Sequence, residues 1–173
     1  MKTILLTLIF ILLAVQQYGQ ELKQSEIDSL MALDFKAFDQ DMQGGWRYYA
    51  NQENFITAAS LIEAYLEQHP KTDVFERQTM SWHAGQMLAM GGQQEGAIPL
   101  MEESRKGKDD FMLWNPYLDA TIAFLKKDRP AFDSNLKAVS AMSNNPNLPL
   151  LRILEEHFDK TYREALEAAM TKK

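Results

Sequence analysis

The chain of 173 residues contains no cysteine. That excludes a disulfide framework, a thiolate zinc or iron–sulfur site and a thiol nucleophile. Histidine is scarce, with only three. No two of them stand three or four apart, and no HExxH run occurs, so no metal is expected. Positive charge is also short: 18 Lys and Arg stand against 24 Asp and Glu, for a net charge of −6. A chain of that sign has no basic footprint for nucleic acid. GxSxG is missing, so a serine nucleophile of that type is unsupported. The glycine-rich GGQQEG at 91–96 follows no strand and leads to no Lys-Ser/Thr pair. It reads as a turn, not a phosphate loop. β-branched runs with period-two alternation are missing too, which leaves helix as the expected structure. What is present is 46% apolar residues, enough for a packed core in about one domain.

The first 20 residues differ from the rest. A single charge, Lys2, precedes the apolar run 4–15, and the polar tail QQYGQ follows. A positive start, about 7–15 apolar residues and a nearby small residue describe a secretory signal. The run is too short for a spanning helix, which needs about 20 apolar residues. The expected organisation is therefore a signal peptide over 1–20 and an α-helical domain over 21–173. The mature protein is then expected to be exported to the periplasm or beyond the cell, with no stable membrane anchor after signal removal.

In the mature part, apolar residues recur at spacings of three and four. Ser25 and Asp28 resemble a capping box ahead of the stripe Ile27, Leu30, Met31, Phe35 and Phe38. Gly44-Gly45 interrupts it. Helices are expected over 54–68, stopping at Pro70, and from a Thr72-Asp73 cap to Met90. Further helices are expected over 95–106, over 116–126, and from Asp128-Pro130 to about Met142. A last amphipathic helix is expected over 150–170. Turns of a few residues make such helices antiparallel neighbours.

The hairpins also repeat. Gly85 stands twelve before Ala97, Ala120 stands twelve before Phe132, and the two pairs are offset by 35. Gly85, Gln86, Leu88, Gly91-Gly92, Ala97, Met101 and Ser104 resemble the small, large, turn and small-residue positions of the tetratricopeptide repeat family, whose period is about 34 residues. Ala120, Ala123, Phe132 and Leu136 follow the pattern less closely. The resemblance implies all-α hairpins stacked as a short array with a C-terminal capping helix, and a partner lying along an inner groove.

Counting helical faces from the small positions puts Arg47, Trp82, Gln86, Trp114, Tyr117 and Thr121 along that groove. Rigid aromatic surfaces beside arginine and amide donors suit the binding of a peptide or protein segment, or of a small ligand. The expected function is a non-catalytic binding module without a cofactor. One alternative is a hydrolase-type enzyme in which Asp39, Arg47 and His83 act as an acid–base cluster. Another is a structural subunit of an envelope assembly, which requires an exposed apolar patch near Leu150, Leu151, Leu154 and Phe158.

Overall fold

The computed structural model describes residues 22–107 and 110–171. Among them are helices and turns and no strand, so the protein is all-α. The expected export signal lies outside the described residues. Where one domain is expected over 21–173, the chain divides into two compact units between Met80 and Ser81.

The N-terminal unit begins with α1 (Gln24–Met31). The expected Ser25 capping box does not form. Lys23 is the cap residue without a side-chain bond, and the Ser29 hydroxyl donates back to the Ser25 carbonyl at 2.8 Å. The Asp34 carboxylate accepts from the Ala37 N–H at 2.8 Å and opens a π-helical turn over Lys36–Gln40. Short α2 (Arg47–Ala50) follows the glycine pair, then α3 (Phe55–Gln68). Helices α1 and α2 both pack on α3, which buries Ala58, Ala59, Leu61, Ile62, Tyr65 and Leu66. The Tyr65 ring stacks between Phe38 and His69, with centroids 4.0 Å away on each side. Past the end of α3, Arg77 donates to the carbonyls of Leu66 and His69 at 3.3 and 3.1 Å. Those carbonyls have no acceptor role inside a helix that stops before Pro70.

Helix α4 (Val74–Met90) contains the dividing point. Its start is capped as expected, with Asp73 accepting from the Phe75 N–H at 2.8 Å. In the C-terminal unit α4 meets α5 (Gln94–Glu103) at Gly85. A Cβ there would stand 2.6 Å from Met101 Cγ and 3.0 Å from the Ala97 carbonyl. Pro99 falls inside α5, beyond its first turn.

Helix α6 (Trp114–Lys126) is the centre of this unit. It packs against α5, α7 and α8 and buries residues on all its faces, among them Leu118, Ala120, Ile122 and Phe124. A helix packed on several sides is apolar over most of its surface, and Asp119, paired with Arg105, marks where this one meets solvent. Helix α7 (Arg129–Ser140) starts where Asp128 accepts from the Ala131 N–H at 3.1 Å, as Asp128-Pro130 predicts.

The continuous last helix expected over 150–170 is replaced by two, α8 (Leu148–Glu156) and α9 (Tyr162–Met170), packed on each other. The break is chemical. Thr161 accepts from the Glu164 N–H while Glu164 accepts from the Thr161 N–H at 2.9 Å, a reciprocal capping box that starts a new helix.

Candidate functional site

In the N-terminal unit the π-turn and the glycine pair together build a polar centre. Gly45 has φ +51°, and a Cβ on it would lie 1.9 Å from the Phe38 carbonyl oxygen. Only glycine passes so close. The turn brings Trp46 back onto Asp39, and both are buried. The Trp46 indole N–H donates to one Asp39 carboxylate oxygen at 2.9 Å, and the Gln40 amide donates to the other. Arg47 then stacks on Trp46, its guanidinium carbon 4.1 Å from the ring centroid, and its Nε donates to the Asp39 carbonyl at 2.9 Å.

These two contacts fix the plane of the guanidinium and use only Nε. Both Nη groups lack a hydrogen-bond partner among the described residues. Arg47 is half-buried. Partial burial lowers its pKa from the ordinary value, and the charge of Asp39 partly opposes that shift. Beside it on the same turn, Met42 and Tyr48 are exposed at 66% and 53%. The Asn51 amide donates to the Met42 carbonyl at 3.0 Å and ties this stretch to the end of α2. Neither Met42 nor Tyr48 was expected at a site, because nothing in the local sequence marks them as unburied.

Of the three residues in the acid–base alternative, the structure brings Asp39 and Arg47 together, and His83 belongs to the C-terminal unit on α4. Asp39 is fully buried with both carboxylate oxygens accepting hydrogen bonds. A fully buried carboxylate engaged at both oxygens is out of reach of a substrate proton and serves to hold its neighbours. Among the described residues no three His, Asp or Glu side chains stand close enough to hold a metal. The Nε2 of His157 is buried without a hydrogen-bond partner among the described residues.

The other expected groove residues gather in the C-terminal unit. Trp82, Trp114 and Tyr117 form a triangle with ring centroids 5.0, 5.2 and 5.4 Å apart. Trp82 and Tyr117 are buried, and so is Thr121, whose hydroxyl donates to the Tyr117 carbonyl at 3.0 Å. Trp114 is half-buried, and its indole N–H donates to the Ser104 carbonyl at 3.0 Å. Gln86 is half-buried and donates to the Tyr162 hydroxyl at 3.3 Å. The three rings pack with each other, and Tyr162 of α9 lies against Gln86 and Tyr117, where an open groove is expected.

Two surface recesses lie elsewhere in this unit. One of about 640 Å³ adjoins residues 92–96 and Lys126. The other, of about 350 Å³, is rimmed by the ion pairs Arg129–Asp133 and Arg152–Glu155 and by Lys137. Neither recess includes an expected groove or acid–base residue. No known protein family, curated protein or solved structure matches the chain.

Proposed function

We propose that the protein is a non-catalytic binding module that engages a peptide or protein segment through the Arg47 turn. The observation that carries this reading is the Arg47 guanidinium, oriented by Trp46 and Asp39, partly buried, with neither Nη group partnered among the described residues. A fork of that geometry matches a carboxylate bidentately. A chain of net charge −6 repels acidic runs, so the ligand is a segment with one carboxylate. The exposed Tyr48 and Met42 supply apolar area for a neighbouring side chain.

The reading takes the hairpins as repeats of the tetratricopeptide kind, supported by the close approach at Gly85. It takes residues 1–20 as an export signal, so binding occurs outside the cytoplasm. N-terminal sequencing of the exported chain checks the second point. The hydrolase alternative is disfavoured by the buried Asp39. The envelope-subunit alternative lacks its patch, since Leu151 and Leu154 are buried and Leu150 and Phe158 half-buried.

The test uses acetyl-Leu-Phe with a free C-terminal carboxylate and the same dipeptide as its amide, titrated calorimetrically. The free acid binds about tenfold more tightly, equivalent to about 1.4 kcal/mol, and Arg47→Ala removes the difference. Equal affinities for acid and amide, or an unchanged difference in Arg47→Ala, would contradict the proposal.

A further inference from the structure

The recess between α7 and α8 gives the C-terminal unit a site of its own, independent of Arg47. We infer that it binds a small polyhydroxylated monoacid, of the sugar-acid class. The ligand's carboxylate lies at the Lys137 end and its hydroxyls at the Arg129–Asp133 end.

A volume of about 350 Å³ suits a ligand of that size. Leu136, 4% exposed, forms the base. Arg129, Asp133, Leu136 and Ser140 are spaced by three and four, so they share one face of α7, with Lys137 beside them. Arg152 and Glu155 line the recess from α8. Arg152 Nη2 donates to the Ser140 hydroxyl at 3.3 Å, whereas the Arg129 guanidinium lies over the Phe158 ring, 5.1 Å from its centroid. The end of α7 therefore meets α8, and the start of α7 meets the residues just past it.

Exposed ion pairs contribute little stability; here they aim side chains. Each pair uses only part of its bonding capacity. Arg129 gives Nε to Asp133 Oδ1, and Arg152 gives Nη1 to Glu155 Oε2. Among the described residues, both Nη groups of Arg129, Asp133 Oδ2, Glu155 Oε1 and the Lys137 ammonium have no hydrogen-bond partner. The Ser140 hydroxyl accepts from Arg152 and keeps its own proton to donate.

This set of donors and acceptors defines the ligand. Three cations against two carboxylates leave the rim with one positive charge, in a chain of net charge −6. A dianion is opposed by Asp133, Glu155 and the field of the whole chain, and a neutral sugar leaves Lys137 without a counter-charge. One carboxylate balances the rim. It belongs where Lys137, Ser140 and Arg152 gather donors. Asp133 Oδ2 and Glu155 Oε1 are acceptors, which hydroxyls can satisfy and a second carboxylate cannot. From Asp133 to Ser140 the helix rises about 10 Å, room for a six-carbon acid and its hydrogen bonds.

The test follows the backbone amides of Leu136, Ser140 and Arg152 by NMR in the full chain at constant ionic strength. The probes are sodium D-glucuronate, D-glucose and sodium acetate. Glucuronate is expected to shift these amides saturably, with an affinity at least about tenfold above that of glucose or acetate. Lys137→Ala should weaken glucuronate about threefold, the size of one exposed charge contact. Ser140→Leu, which fills the recess, should abolish binding. Lys137 is exposed and Ser140 half-buried at the rim, and unchanged amide spectra elsewhere verify that both variants keep the fold. Arg47→Ala should leave the shifts intact, which separates this site from carboxylate binding at the Arg47 turn. Absence of saturable shifts, equal responses to glucuronate and acetate, or unweakened binding in Lys137→Ala would overturn the inference. So would loss of the shifts in Arg47→Ala.

Discussion

In the N-terminal unit the buried set includes a carboxylate, Asp39, held by an indole and an amide and overlain by an arginine. In the C-terminal unit the buried centre is rings and aliphatic chains, and its polar members are hydroxyls, an amide and an imidazole, Thr121, Asn145 and His157 among them, with no carboxylate among those described. One unit is organised by a charge that must stay satisfied, the other by packing. A buried charge makes geometry specific because each lost partner leaves an uncompensated group. Ring packing tolerates rearrangement better but loses much when volume is removed.

The largest expected effect tests the first arrangement. Gly45→Ala places a methyl group into the Phe38 carbonyl at a left-handed backbone angle and should cost about 4 kcal/mol or more. A urea melt measures it, and a loss of under about 1 kcal/mol would mean the turn does not hold Trp46 on Asp39. Next, Phe124→Ala empties the C-terminal unit beside Phe158 and Tyr162 and should cost about 3–5 kcal/mol in the same assay.

A matched pair sharpens the contrast. Trp46→Phe removes a donor from a buried carboxylate and should cost about 2–3 kcal/mol, whereas Trp114→Phe removes a donor from a neutral carbonyl and should cost about 1 kcal/mol. Equal costs would erase the distinction between the two units.

The smallest effect is in pH. Glu164 is held below the usual carboxylate range, first by its hydrogen bond to the Thr161 backbone. Its folded pKa lies under its unfolded one, so its contribution is present above the unfolded value and fades as pH falls through the folded one. Amide exchange in α9 should therefore accelerate on acidification, relative to α6 and after correction for intrinsic rates, and Glu164→Gln should remove that dependence.

Much of the helical plan was legible because its punctuation is local. Pro70, Gly91-Gly92 and Asp128-Pro130 each end or begin a helix through backbone chemistry that neighbours alone decide. The split of the last helix was legible in principle. Thr161 and Glu164 form a capping-box spacing, but the apolar pattern runs across it without a gap, and periodicity outweighed the cap. The π-turn at Lys36–Gln40 has no comparable local signal. The site was less readable. Face counting put Arg47 along one groove with residues of the other unit, whereas its environment comes from its own turn. It misjudged Trp82, Tyr117 and Thr121, whose burial depends on packing between helices distant in sequence. The contact between Gln86 and Tyr162 spans 76 positions, and no local pattern announces it.

The central claim is that Arg47 presents an unpaired fork to a carboxylate. It is tested most directly by following the Arg47 Nε–H resonance during an acetate titration at constant ionic strength. The account predicts a saturable shift that chloride does not reproduce, accompanied by a change in the Trp46 indole N–H signal. An Arg47 resonance that responds identically to acetate and chloride would contradict it.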